Sequence, residues 1–211
     1  MSQLLRIEEP YRPGRNSPSL RAFLELGFRP LYLAGASWAA LEIFLWIFFP
    51  HWLVGSLQGV VWHGHEMFWG FIVTIAVGFL MTAGANWTGL NPMPRPWLAA
   101  ACLLWLAARI FYLLPGQIAF AAAAIAETLF LGGAASAMAI AVLNSRNRRN
   151  YGVPLVMAGL AIANLLFTWA AWLADYAQIM RYFYVGLMFM AMLVLLVGRR
   201  VIPFFAMRAV P

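Results

Sequence analysis

The chain has 211 residues, of which 64% are hydrophobic and 10% are charged, and its mean hydropathy is +0.79. A soluble domain has about 45–50% apolar and about 25% charged residues, so this composition excludes a soluble globular protein and predicts a membrane protein. The 14 basic residues, all arginine, outnumber the 7 acidic ones, but they are scattered among apolar runs without a basic stripe, which excludes a nucleic-acid partner.

The chain begins with a polar segment that prolines interrupt and that has no helical apolar period. We predict that residues 1–27 form a flexible cytoplasmic tail without a fold of their own. The first long apolar run starts near Leu31, too far from Met1 for a secretory signal. The first membrane span is therefore predicted to be an uncleaved anchor.

Six apolar runs follow, and a membrane span needs about 20 such residues. They are residues 30–49, 60–82, 97–114, 118–143, 153–174 and 182–197. Continuous apolar runs are typical of helices, whereas the strands of a membrane barrel alternate weakly. The sequence thus predicts an all-α, polytopic membrane helix bundle of about six transmembrane helices. This domain covers residues 28–205, and residues 206–211 are the C-terminal end.

The connections between these runs alternate in arginine content. Arginines precede the first run, separate the second from the third and the fourth from the fifth, and follow the sixth: Arg6, Arg12, Arg15, Arg21, Arg29, Arg95, Arg146, Arg148, Arg149, Arg199 and Arg200. The opposite connections hold one arginine between them, Arg181. Because arginine-rich short loops stay in the cytoplasm, both termini are predicted to be cytoplasmic.

Two of the three histidines lie beside a carboxylate at the outer mouth of the second run, as His63, His65 and Glu66. Imidazole suits iron, copper and zinc, so both histidines are candidate metal or haem ligands. Side chains two positions apart on a regular α-helix point about 200° from one another, and the two can converge on one metal only if the helix unwinds at Gly64. Ordinary interfacial histidines without a ligand are the alternative.

The neighbours of the two histidines favour His63 as the inward ligand. On a regular helix His63 shares a face with Glu66 and Met67, whereas His65 shares one with two tryptophans. The first face is the more polar. Glu66 and Met67 are therefore predicted to surround the ligand, with Glu66 accepting a hydrogen bond from the ligand ring.

Three further charged residues lie inside the predicted spans, at Glu42, Arg109 and Glu127. Counted from the outer ends of their helices, they lie about 10, 9 and 15 Å deep. Charges at such depth face the bundle interior and find partners, so we predict that Arg109 pairs with Glu127 across the hairpin of the third and fourth spans. The pair then either fixes the helix register alone, or leaves Arg109 to bind an anion such as a haem propionate.

Several short patterns, in this order along the chain, resemble the NnrS family. They are residues 27–30 (GFRP), 62–67 (WHGHEM), 78–82 (GFLMT), 86–89 (NWTG) and 198–205 (GRRVIPFF). The match runs from Gly27 to about Phe205 and corresponds to the N-terminal half of a typical NnrS protein. A truncated gene, a split subunit and a fragment are all open interpretations of this half-length match.

This resemblance implies a multi-pass protein of the bacterial inner membrane that contains haem and copper. It also implies an association with denitrification and with resistance to nitric oxide and nitrosative stress. The chain is then expected to bind haem and/or copper through His63 or His65, with a second helical bundle or a second copy of the chain as a partner within the lipid bilayer. No residue is assigned a catalytic role, because detoxification of nitric oxide also needs an open coordination position and an electron route.

Two other functional classes remain open. A transporter or channel would use Glu42, Arg109 and Glu127 to line a polar path that opens outward. A cofactor-free assembly subunit would use every polar group for helix packing. A haem gives visible absorption that depends on a histidine, transport gives flux that depends on a glutamate, and assembly gives neither.

Overall fold

The computed structural model describes residues 19–53, 55 and 57–209, and within this part it is helical, with no β-strand. The helices are α1 (Leu20–Phe23), α2 (Phe28–Phe48), α3 (Gly59–Thr88), α4 (Arg95–Leu113), α5 (Gln117–Asn144), α6 (Gly152–Trp172) and α7 (Tyr176–Ala209). Short 3₁₀ turns at Pro50–Trp52 and Arg148–Asn150 lie in two of the connections. The predicted all-α fold is confirmed.

Six of these helices, α2 to α7, are long and apolar enough to cross a membrane, and each overlaps one predicted run. The sixth is longer than predicted, because α7 begins at Tyr176 and continues through the predicted boundary at 205 to Ala209. The predicted tail, residues 1–27, lies mostly outside the described residues, and its last part contains the short helix α1.

The outer surface of the bundle is apolar. Ile118 is 88% exposed, Leu195 is 72% exposed and Trp97 is 70% exposed. A contiguous apolar surface of this kind is unfavourable in water, whereas lipid tails match it without cost. The chain is therefore a multi-pass membrane protein whose environment is the lipid bilayer.

Glycine and proline set the ends of several helices. α3 is followed by Gly89, whose φ of 71° lies in the left-handed region that glycine adopts without a steric penalty. α4 begins directly after Pro94, with Pro96 in its first turn, where a missing N–H removes no helical hydrogen bond. Gly116, with a φ of 98°, turns the chain between α4 and α5. The tight connection makes α4 and α5 antiparallel neighbours.

Each helix from α4 to α7 packs against the next, and α3 packs between α2 and α5. We call the end of the bundle at connections 49–58, 114–116 and 173–175 the site end. The end at connections 89–94 and 145–151 is called the arginine end. The site end is the one that the arginine distribution predicts to face outward, and this orientation stays a prediction.

The contact between α6 and α7 depends on a glycine, which gives a first prediction. A Cβ added at Gly159 would lie 2.4 Å from Cε1 of the Phe189 ring, so Gly159→Ala should destabilise the bundle by about 1–3 kcal/mol through overpacking. The matched control is Gly132→Ala on α5, because no atom lies within 4 Å of a Cβ there. It should be neutral or stabilising by about 0.5–1 kcal/mol. Thermal unfolding in detergent measures both, and equal melting temperatures for the two variants would contradict the close α6–α7 contact.

Candidate functional site

The middle of α3 departs from regular α-helical geometry. Residues Glu66–Val73 form a π-helical segment between the α-helical stretches Gly59–His65 and Thr74–Thr88. π-helical segments are rare and occur frequently at functional sites. Two side chains bond to carbonyls of this segment: the Trp105 indole N–H donates to the carbonyl of Gly70 at 3.1 Å, and the Thr74 hydroxyl donates to that of Trp69 at 3.1 Å. The segment therefore lies next to α4 with its backbone engaged by that helix.

A buried cluster of four charged or titratable side chains lies at the start of the π-helical segment. The members of this central cluster are His65, Glu66, Arg109 and Glu127, and their exposed fractions are 0%, 0%, 0% and 2%. Arg109 Nη1 donates to Glu66 Oε2 at 2.5 Å, and Arg109 Nη2 donates to Glu127 Oε1. The predicted pairing of Arg109 with Glu127 is confirmed. A single guanidinium thus bridges α3 to α5 through two carboxylates.

The second carboxylate of the cluster collects donors from three helices. Glu127 Oε2 lies 3.0 Å from His65 Nε2, and it accepts hydrogen bonds from the Tyr112 hydroxyl and the Asn164 amide, each at 3.1 Å. A buried carboxylate is stable only when such partners replace its hydration. Every oxygen of Glu127 is accordingly bonded, and α4, α5 and α6 meet at this side chain.

His65 is held between two carboxylates. Its Nδ1 lies 2.9 Å from Glu66 Oε1, and its Nε2 lies 3.0 Å from Glu127 Oε2. The ring is enclosed by aromatic side chains, with centroid distances of 4.8 Å to Tyr112 and 5.2 Å to Phe167. The Asn164 amide nitrogen also lies 3.3 Å from Nε2. Since a carboxylate oxygen lies at each ring nitrogen, the arrangement suits an imidazolium that donates to both carboxylates. Such a ring has no lone pair available for a metal.

The prediction that His63 is the inward histidine is wrong. His65 is completely buried, whereas the His63 side chain is 24% exposed. The interior face of this helix is the one that carries Trp62 and Trp69, each 1% exposed. In a bilayer the polarity of a face does not identify the interior, since large aromatic side chains also pack between helices. His65 shares the face of these two tryptophans and is buried with them.

His63 forms a separate pair with Glu42 of α2. His63 Nδ1 lies 2.5 Å from Glu42 Oε1, and the Glu42 side chain is fully buried. The imidazole ring is stacked on Trp46, with 3.9 Å between the ring centroids and 2° between the planes. Among the described residues Nε2 of His63 has no hydrogen-bond partner. Glu42 thus fixes the orientation of the ring through Nδ1, and Nε2 is free to bind a ligand.

Glu66 and Met67 were predicted to surround the ligand. Glu66 does accept from a ring, but from that of His65, and it also accepts from the Trp38 indole N–H at 2.7 Å. Met67 is half-buried in the first turn of the π-helical segment. The carboxylate that orients His63 is Glu42, which the sequence analysis assigned to the intramembrane charges instead.

Gly70 is the position at which Arg109 crosses α3. A Cβ there would lie 2.4 Å from Arg109 Nη1 and 2.9 Å from Glu66 Oε2. Any side chain at this position would displace the guanidinium from the carboxylate. The absence of a side chain at Gly70 is therefore a requirement of the Arg109–Glu66 contact.

Three residues that donate hydrogen bonds to the central cluster were not among the predicted site residues: Trp38, Tyr112 and Asn164. Trp38 lies four positions before Glu42, and Tyr112 lies three positions after Arg109. Helical spacing of three or four places each of them on the same face as a predicted charge, and this signal identifies them. The signal for Asn164 is a lone amide in the middle of an apolar run.

A metal ion and a haem require different sets of ligands from the described side chains. The described part of the chain contains no group of three or more His, Cys, Asp or Glu side chains that is able to hold a metal ion. A haem brings four nitrogens of its own, so one imidazole would suffice to hold it. His63 suits that role, because its Nδ1 is bonded to Glu42 and its Nε2 has no partner among the described residues.

The central cluster predicts a large effect of one substitution. Arg109→Gln leaves two buried carboxylates without their shared cation, so it should destabilise the protein by about 3–5 kcal/mol in thermal or denaturant unfolding. The double variant Arg109→Gln/Glu127→Gln removes one of those carboxylates and should recover part of the loss. Arg181→Gln, at an exposed arginine of α7, is the control and should change stability by no more than about 0.5 kcal/mol. A wild-type melting temperature for Arg109→Gln would show that the cluster contributes nothing to the fold.

Comparison with known proteins identifies the family. A family model described as NnrS protein matches residues 22–211. No curated protein and no solved structure matches the chain. The matched segment begins one residue before Phe23, the end of α1, and contains all six membrane helices together with every residue of the central cluster. The chain belongs to the NnrS family.

Proposed function

We propose that this chain acts in the response to nitric oxide and nitrosative stress as a multi-pass protein of the bacterial inner membrane. A haem would be held by His63 and would supply the iron that binds nitric oxide. The observation that carries the proposal is the His63–Glu42 pair, in which Nδ1 is bonded to a buried carboxylate and Nε2 is available among the described residues.

The surroundings of His63 suit an axial ligand. A metal-binding histidine almost always donates its second ring N–H to a carboxylate, carbonyl or water, which fixes the tautomer and raises the basicity of the ligand. Glu42 is such an acceptor at 2.5 Å, and the stacked Trp46 ring restricts rotation of the imidazole. The side chain of His63 is 24% exposed, so its ring is not fully enclosed by the bundle.

The central cluster has a supporting role in this proposal. His65 is engaged at both nitrogens and fully buried, so it serves packing and charge balance. With an imidazolium at His65, two cations match the two carboxylates Glu66 and Glu127. Trp38, which bonds to Glu66, lies one turn of α2 from Glu42. The cluster thereby holds the helix that presents Glu42 to His63.

When bound, the haem supplies an iron that binds diatomic gases and exchanges electrons. The residues of this chain orient the imidazole and hold its N–H at Glu42. A copper ion held by the same pair would need further ligands, in keeping with a second bundle or a second copy as a partner. The transport alternative has less support, because Arg109 and Glu127 are bonded to each other and almost completely buried.

The proposal predicts that the visible spectrum depends on one histidine. In the purified 211-residue chain, the reduced-minus-oxidised difference spectrum should show a haem signal that His63→Ala abolishes. His51→Ala is the matched control, since His51 is exposed and lies in the connection just outside the bundle; it should retain the signal. A folded chain without haem, or equal signals in the two variants, would rule out His63 as the ligand in this protein.

A second prediction concerns the carboxylate. Glu42→Gln replaces an anionic acceptor with a neutral one, so the imidazole becomes a weaker donor to iron and haem affinity should fall about 10–100-fold. Glu25→Gln, at an exposed glutamate, is the control and should leave affinity unchanged. Haem titration followed by absorbance measures both dissociation constants. An unchanged affinity in Glu42→Gln would mean that the pair serves packing alone.

A further inference from the structure

A large apolar groove runs from the middle of α5 to the arginine end of the bundle. It has a volume of about 670 Å³ and runs between α4 and α5. Its walls include Trp97 and Leu104 of α4, and its floor includes Gly133 and Ala137 of α5. α4 and α5 are joined near the site end by the Arg109–Glu127 ion pair. Toward the arginine end small residues on α5 leave the space between them open.

The length of the groove fits one leaflet of a bilayer. Along α5 it extends from Leu129 to Asn144, which is about 22 Å at the rise of an α-helix. A bilayer with its headgroup regions is about 40–45 Å thick, so one leaflet with its headgroups is about 20–22 Å deep. A lipid chain enters from one side and ends near the middle of the membrane. A transmembrane helix of a partner would need a groove along the whole thickness, and this groove does not reach the site-end half of α5, Gln117–Thr128.

Two arginines are close in sequence to residues that line the groove at the arginine end. Arg95 directly follows Pro94, which lines the groove, and Arg146 lies two residues beyond Asn144, which also lines it. Neither arginine forms an ion pair with a carboxylate of the described residues. The Nε of Arg95 is buried without a hydrogen-bond partner in that part of the chain. Guanidinium groups bind phosphate through paired hydrogen bonds, so arginines at these two positions suit an anionic headgroup.

We propose that this groove is a binding site for one anionic phospholipid. One acyl chain occupies the groove between α4 and α5, and the headgroup phosphate is bound by Arg95 and Arg146. The site is independent of any haem, because its residues lie at the end of the bundle opposite to His63 and Glu42.

Native mass spectrometry of the detergent-solubilised full chain tests this proposal. The probes are a phosphatidylglycerol and a phosphatidylcholine with identical acyl chains, so only the headgroup charge differs. The wild type should bind phosphatidylglycerol preferentially as a one-to-one adduct. Each arginine near an anionic lipid is worth about a fivefold change in affinity. The double variant Arg95→Gln/Arg146→Gln should therefore lower the affinity for phosphatidylglycerol by about 25-fold at most. Its affinity for phosphatidylglycerol should then be close to its affinity for phosphatidylcholine.

A matched pair of glycine variants tests the acyl-chain part of the site. Gly132 and Gly133 are neighbours on α5, and a Cβ at either meets no atom within 4 Å, so both accept a side chain without repacking. Gly133 lines the groove and Gly132 does not. Gly133→Leu should lower binding of phosphatidylglycerol at least tenfold, whereas Gly132→Leu should bind it as the wild type does.

Three results would overturn the proposal. The first is equal binding of the two lipids by the wild type, and the second is equal binding of phosphatidylglycerol by the two glycine variants. The third is a wild-type dimer that Gly133→Leu converts to a monomer with its lipid adducts unchanged, which would assign the groove to a second copy of the chain. Melting temperatures of the variants within a few degrees of the wild type establish that all of them are folded.

Discussion

The structure depends on one buried guanidinium. Arg109 bonds to Glu66 and to Glu127. From two further helices, Trp38 donates a hydrogen bond to Glu66 and Asn164 donates one to Glu127. Five of the six membrane helices thus meet at one set of hydrogen bonds. Within a bilayer no hydrophobic force drives helices together, because lipid tails are as apolar as the side chains. Polar contacts of this kind therefore select the register in which the helices pack.

The π-helical segment and Gly70 make this arrangement possible. The guanidinium lies so close to α3 that a methyl group at Gly70 would be 2.4 Å from Arg109 Nη1. The carbonyl of Gly70 is bonded to Trp105, one turn before Arg109 on α4. The irregular stretch Glu66–Val73 thereby gives the backbone of α3 contacts with the same face of α4 that carries the guanidinium. Irregular backbone within a membrane is tolerated where protein partners satisfy its polar groups.

The two histidines of α3 show how one short stretch serves two purposes. His65 is bonded at both nitrogens inside the central cluster, whereas His63 is bonded at one nitrogen, partly exposed and stacked on Trp46. The first stabilises the bundle, and the second is the residue for which a ligand role is proposed. The lipid groove lies at the opposite end of the same helices. The ion pair of Arg109 with Glu127 lies between the histidines and the groove. It joins α4 to α5, and the groove lies between the same two helices toward the arginine end.

The sequence by itself determined the six membrane helices, because continuous apolar runs of this length are typical of helices and not of the alternating strands of a membrane barrel. It also determined that Arg109 has to meet a carboxylate at similar depth, since a charge in hydrocarbon needs a partner. Only the tertiary structure decided which histidine faces inward and that Glu42 is the partner of His63. The direction of a side chain along α3 depends on the π-helical segment at Glu66–Val73 and on which helices surround it. Regular helical spacing contains neither piece of information.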